Sequence, residues 1–337
     1  MISSQAPVFV LGSPRSGTTL LYHMLLSAGD FAVYRAETHV FDLLGPRFGD
    51  LRRLKARAEL IDDWLTTEYF QRTGLDAAKL RQRVLTECRN AGDFLRIVME
   101  SIATHQAVSR WAECTPEHLL YIDTIKRTIP DAKIIHIIRD GRDVALSLEK
   151  QGWIRPLPID RDRGLLIAGV YWEWQVNKGR AAGRRFAPDY LEIKFEDLVS
   201  RPQEALDVVG TFIGQPLDYA QILSNPVGSV ATPNTSFATS SAEAGFNPVG
   251  RWRSPAPPRL AQLETAIGKT LQDLGYDLVT RSDSTVDFMS ASVGLRYGAL
   301  FESKHWLKNK TPLGRFSDIS LLHRPIGEDL AQPKNSK

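Results

Sequence analysis

The chain has 337 residues, 43% hydrophobic and 24% charged, a balance that excludes a disordered, collagenous or coiled-coil protein and fits one elaborated domain or two ordinary ones. Its 42 basic and 39 acidic residues leave a formal net charge of +3, so no broad cationic face coats a polyanion, and anion recognition has to come from a few converging side chains. Two cysteines, Cys88 and Cys114, supply neither a disulfide framework nor a four-cysteine zinc site, and a reducing compartment is expected.

Residues 8–11 (VFVL) read as a short buried strand ending at Gly12, and a turn of Gly, Ser, Pro and Arg leads into Thr18–Ala28, where Leu20, Leu21, Met24 and Leu25 recur at helical spacing. Residues 42–108 hold no strand pattern. Leu51, Leu54, Ala58, Ile61 and Leu65 keep a helical period, with further helices over 76–88 and 91–108, so a helical insert or lid is expected after the first βα unit. Thr115 then reads as an N-cap with Pro116 at the first helical position, and Lys133–Ile138 (KIIHII) as a buried strand. Asp140 and Gly141 open another helix; a helix over 164–181, a strand Tyr190–Phe195 and an amphipathic helix over 202–213 follow. Residues 224–258 are rich in Ser, Thr, Asn, Gly and Pro, the composition of a long loop that is either a functional lid or disordered. A helix over 259–273 precedes a tail, 281–337, in which Phe301–Lys310 mixes apolar and basic residues. The tail is expected to pack on its own domain, with a membrane surface or a second subunit, hence a homodimer, as the alternatives.

The first apolar run is too short for a signal peptide and none reaches the ~18 residues of a spanning helix, so a cytoplasmic protein without a transmembrane segment is expected. Alternating strands and helices imply an α/β fold: a parallel sheet with helices on both faces and ligands at the carboxyl ends of the strands. Both unusual turns, 12–19 and 139–147, fall there.

Gly12-Ser13-Pro14-Arg15-Ser16-Gly17-Thr18-Thr19 places glycines, hydroxyls and one arginine between a strand and a helix N-terminus, where unpaired N–H groups and the helix dipole make an anion cradle. The spacing matches the front of a nucleotide-binding P-loop, yet Thr18 stands where that motif has its lysine, which argues against triphosphate chemistry. Arg139-Asp-Gly-Arg-Asp-Val-Ala-Leu-Ser147 puts a fixed cation at a strand end and a hydroxyl on the following helix, a pair suited to one phosphate. By itself this turn reads equally well as Arg139 and Arg142 pairing with Asp140 and Asp143. Two separated anion sites together imply a ligand phosphorylated at both ends.

PRSGTT (14–19) and RDGRDVALS (139–147) resemble the 5′-phosphosulfate and 3′-phosphate signatures of sulfotransferases that use 3′-phosphoadenosine 5′-phosphosulfate (PAPS); Arg15 with Glu37-Thr38 downstream is most similar to the bacterial and tyrosylprotein branch. The resemblance spans roughly 7–280 and leaves the tail uncovered; residues 1–280 are taken as one sulfotransferase domain, with the insert 42–108 on the acceptor side. It implies that Pro14, Arg15, Ser16, Gly17, Thr18 and Thr19 hold the 5′-phosphosulfate and Arg139 and Ser147 the 3′-phosphate. Arg251, in Gly250-Arg251-Trp252, resembles the segment that closes over the nucleotide. No divalent metal is called for, the product is adenosine 3′,5′-bisphosphate, and no nucleic acid partner is expected.

Sulfuryl transfer needs a base for the acceptor hydroxyl and cations for the departing phosphate. Glu37 matches the family's glutamate base, with Arg15 stabilising the transferring group; His118 and His39 are the competing bases. Where many relatives read Glu-Lys-Thr-Pro, this chain reads Glu113-Cys114-Thr115-Pro116, and a thiol is no fixed cation. Phe195 stands where relatives often have a tyrosine at the nucleotide. A P-loop kinase or NTPase, and a non-catalytic nucleotide-binding relative, remain alternatives. The hydroxyl acceptor is left open among glycan, lipid, phenol and peptide tyrosine.

Overall fold

The computed structural model describes residues 5–231, 247–253, 257–280 and 284–323. Four parallel strands, β1 (Val8–Leu11), β2 (Ala112–Glu113), β3 (Lys133–Ile138) and β4 (Tyr190–Lys194), form one sheet in the order β2-β1-β3-β4. β1 is buried on both faces, and the two-residue period of a strand splits its side chains between them. Val8 and Val10 enter a core with Leu21 and Leu25 of helix α1 (Thr18–Ser27) and Leu206 and Val209 of the helix Pro202–Ile213. Phe9 and Leu11 enter the opposite core, with Phe94 and Val98 of the insert and Ile122 and Ile125 of the helix Ile122–Thr128.

The insert is helical, as its periodicity predicts: Leu54–Trp64, Ala77–Glu87 and Ala91–His105, with single turns at Gly45–Phe48 and Glu68–Gln71. It forms one wall of the core, in contact with the sheet. β2 escapes sequence reading because two residues carry no periodicity; it pairs Val8 with Ala112 and Phe9 with Glu113. Thr115 stands at the expected N-cap position with Pro116 after it, but its side chain does not cap. Residues Pro116–Tyr121 form a 3-10 turn without a side-chain cap, because the Thr115 hydroxyl is drawn to the buried Glu113 carboxylate while accepting from the Thr38 N–H at 2.9 Å.

Register places the two anion turns side by side. Val10 faces Ile135 and Leu11 faces His136 in adjacent parallel strands, so both chains leave the sheet at the same edge. α1 starts after β1, and α2 (Gly141–Gln151) starts after β3 with Asp140 capping the Arg142 N–H at 2.9 Å. α2 is backed by α3 (Gly164–Gly183) and the helix Pro257–Asp273, with Trp172 fully buried between them.

Residues 284–323 do not stand apart. The helix Ser284–Lys310 buries Val293 and Tyr297 against Leu166, Ile167 and Val170 of α3, and beyond it Leu322 is fully buried in the insert's core. The described part of the tail thus packs on α3 and on the core of the insert. Of the long loop, 232–246 and 254–256 lie outside the described residues.

Candidate active site

The turn after β1 folds as an anion cradle for reasons local to its sequence. Arg15 has φ 72 and Gly17 has φ 95, a left-handed pair of positions that turns successive N–H groups inward. Gly17 is the N-cap of α1, without a side-chain cap and with no acidic residue in the first turn, so the positive end of the helix is uncompensated by the protein. The Ser16 hydroxyl is buried with no hydrogen-bond partner among the described residues, as is Arg139 Nε. Such orphaned groups cost free energy unless a ligand meets them, and an anionic donor with phosphates at both ends fits them.

The two turns interlock. Arg139 Nη1 donates to the Arg15 carbonyl at 2.9 Å, and Arg15 Nε donates to Ser147 Oγ at 3.0 Å. Arg139 lies 4.4 Å over the Phe195 ring, and Phe195 in turn leaves no room for a Cβ at position 17. Phe195 is therefore a packing platform for both turns. Burial and the neighbouring Arg139 push the Arg15 guanidinium down, with Glu37 opposing. Arg251 is pushed down to about 10 by burial, Arg139 and Arg15, with Asp143 opposing. Three arginines thus converge at the strand ends: burial lowers all three, Arg139 further lowers Arg15 and Arg251, and Arg139 itself is opposed first by Asp143, an arrangement that an anion would relieve.

The alternative reading of RDGRD holds for half the motif. Arg142 is structural: it pairs with Asp140 at 2.8 Å and Glu264 at 2.5 Å and stacks 3.6 Å from the Trp252 ring. Arg139 approaches Asp143 only to 4.0 Å, because the Asp143 carboxylate is engaged by the N–H groups of Gly250 at 2.8 Å and Trp252 at 2.9 Å. Asp143 thereby ties the Gly250–Trp252 segment, and Arg251 with it, over the anion site. No motif distinguishes it from a helix-start charge.

Pro14, Arg15, Gly17, Thr18, Thr19, Glu37 and Arg139 line a single cleft of about 390 Å³ with Leu20, His39, Pro116, Glu117, Trp153 and Leu321. The predicted base and the predicted donor cradle share one cavity of ligand size. Trp153 and Leu321, the latter from the tail, had no signal in the sequence as wall residues.

His118 lies outside this lining. It is fully buried, with Nδ1 3.1 Å from Glu113 Oε2 and Nε2 3.2 Å from Asp42 Oδ1; burial alone would lower its pKa, but Glu113 and Asp42 hold it up at about 9. Asp42 also meets His39 Nδ1 at 3.1 Å, and His39 Nε2 meets Glu37 Oε2 at 3.4 Å. Burial opposes the charge on His39, yet Asp42 and Glu37 raise it well above an ordinary imidazole. The buried chain Glu113, His118, Asp42, His39 therefore positions Glu37, and Thr38 Oγ1 donating to Glu113 at 2.8 Å pins the same segment to β2. Cys114 is buried and its thiol is pushed well above its ordinary range by burial, then by Glu37 and Glu113, so it is neither cation nor nucleophile.

Among the described residues no helix is long and apolar enough to cross a membrane. The domain from the olefin synthase of Synechococcus PCC 7002, a sulfotransferase domain, has a similar fold, with TM-score 0.55 and 19% identity over 83% of this chain and 98% of that one. A putative protein-tyrosine sulfotransferase of Caenorhabditis briggsae is 25% identical over 216 residues, which make up 64% of this chain and 66% of the relative's length. The model of the sulfotransferase family matches residues 7–219, well over half of the sequence. With the P-loop-like cradle and the parallel sheet that carries it, the chain belongs to the sulfotransferase family.

Proposed function

We propose that the protein transfers a sulfuryl group from PAPS to a hydroxyl acceptor. The observation that carries this reading is the convergence of Arg15, Arg139 and Arg251, each with its charge destabilised by burial and Arg15 and Arg251 also by Arg139, beside an uncapped helix N-terminus. Residues 14–19 would hold the 5′-phosphosulfate and Arg139, Ser147 and Arg251 the 3′-phosphate; the bound donor supplies the sulfuryl group. Glu37, on the wall of the same cleft, takes the acceptor proton. Arg15 carries the charge stabilisation that a lysine supplies in many relatives, since Cys114 cannot. His118 is a positioning residue. The tail closes the acceptor side through Leu321, and similarity to a relative named for protein tyrosine supports a phenolic hydroxyl as acceptor.

Calorimetry tests the donor site. Adenosine 3′,5′-bisphosphate is expected to bind without Mg²⁺, and binding that required Mg²⁺-ATP would replace this reading with a kinase or NTPase. Transfer of labelled sulfate from PAPS to an acceptor panel tests the chemistry. Glu37→Gln is expected to lower kcat by about 10²–10⁴-fold with nucleotide binding retained, and an equally active variant refutes the base.

A further inference from the structure

Resting on that reading, we propose that Glu117 is a second acid–base group of the cleft, receiving from Glu37 the proton that Glu37 takes from the acceptor hydroxyl. Glu117 follows Pro116 in the 3-10 turn after β2 and lines the cleft. One polar side-chain atom from each of Glu37, His39 and Glu117 lies within 4.8 Å of the other two. Glu117 Oε2 is sealed from solvent and has no hydrogen-bond partner among the described residues. A carboxylate oxygen left bare in such a place costs free energy unless a proton or a ligand donor meets it.

The surroundings decide which form the carboxyl takes. Glu37 and His39 face it from the preceding segment and Asp42 from the turn Val40–Leu44, with Cys114 at the end of β2, Tyr121 on its own turn and Tyr171 on α3. His39 is already shared between Asp42 and Glu37. The neutral Cys114 adds no cation where many relatives place a lysine, so the pair of ionised carboxyls readily takes up one proton. Burial first and Glu37 second raise the Glu117 carboxyl to about 7, close to the working range of an efficient acid–base group.

The step balances. The acceptor O–H breaks and its proton goes to Glu37; the freed oxygen pair bonds to sulfur, and the bond from sulfur to the donor phosphate breaks with its electrons leaving on that phosphate. Glu37 then passes the proton to the ionised Glu117 carboxylate, and Glu117, which lines the cleft, releases it to water when the products leave, so both carboxyls are ionised for the next turnover.

The test compares kcat against pH for the wild type and Glu117→Gln, with nucleotide affinity measured alongside. Loss of about tenfold in kcat with an unchanged KM for PAPS, and displacement of the acid limb to lower pH as the carboxyl that titrates at about 7 is removed, support the proposal. A variant with the wild-type rate and profile overturns it. Should Glu117→Gln fail to bind adenosine 3′,5′-bisphosphate, Glu117→Asp keeps the carboxyl and must keep an acid limb near neutral pH; a limb in the ordinary carboxylate range overturns the proposal. Carboxyl NMR of ¹³C-labelled protein separates this claim from the broader one. Two coupled titrations that collapse to one in Glu37→Gln support proton sharing even if no acceptor is sulfated, and an ordinary carboxylate titration at Glu117 refutes it.

Discussion

Gly17 carries the most demanding backbone position of the cradle, and Gly17→Ala measures how tightly the two anion turns are fitted. A Cβ there would sit 2.3 Å from Phe195 Cδ2 and 2.7 Å from Cε2, and Phe195 cannot retreat, because it is fully buried and stacked under Arg139 at 4.4 Å. The left-handed backbone, φ 95, costs a residue with a Cβ about 1–2 kcal/mol, and overpacking adds about 1–3 kcal/mol. The sum is about 2–5 kcal/mol, a large part of the ~5–15 kcal/mol that holds a typical domain folded. With an unfolding entropy of ~2.1 cal/mol/K per residue, the melting temperature should fall by about 3–7 °C. Thermal melts and urea titrations of the wild type, Gly17→Ala, Phe195→Ala and the double variant give the coupling between the two positions. The double variant should recover the overpacking share relative to the sum of the singles and keep the backbone share. A Gly17→Ala protein within about 0.5 kcal/mol of wild type, or one whose loss Phe195→Ala leaves untouched, refutes the argument.

Asp143→Ala removes the two charge-assisted bonds to the N–H groups of Gly250 and Trp252, each worth about 1.5–3 kcal/mol. The variant should bind adenosine 3′,5′-bisphosphate about tenfold or more weakly by calorimetry, and Asp143→Asn should lie between it and wild type. An unchanged affinity would show that the Gly250–Trp252 segment does not bear on the nucleotide. The buried His118 predicts a pH dependence whose sign is fixed. Burial pulls its folded pKa down, but Glu113 and Asp42 outweigh that and raise it to about 9, above the unfolded value of about 6.5. Its stabilisation is thus complete below about pH 6.5 and lost as pH rises through about 9. Urea midpoints measured from pH 6 to 10 should fall over that window, and His118→Ala should reduce the slope, with the remainder left to the raised His39; an alkaline slope undiminished by the substitution is the contrary result.

Much of the site was legible in the chain. Gly12 to Thr19 between an apolar run and a helical period, and Arg139 at the end of KIIHII, announce anion turns at strand ends, because glycine, arginine and a helix N-terminus act through backbone geometry local to each turn. The helical insert was equally plain from its period. What local pattern could not convey is partnership. Arg139 and Arg142 look alike in RDGRD, yet Arg142 is consumed by Asp140 and Glu264 while Arg139 stays at the cleft, a distinction set by a residue more than a hundred positions away. His118 reads as a candidate base until the fold closes Glu113 and Asp42 around both of its nitrogens.

The sequence by itself determined the strand-turn-helix grammar, the two cationic turns and the absence of a P-loop lysine, since each depends on residues adjacent in the chain. Only the tertiary structure decided that β1 and β3 are neighbours in register, that Glu37, Glu117 and Leu321 share one cleft, and that Asp143 holds Arg251 in place. Those facts rest on burial and electrostatics between distant segments, where a charge keeps or loses its freedom according to what packs against it.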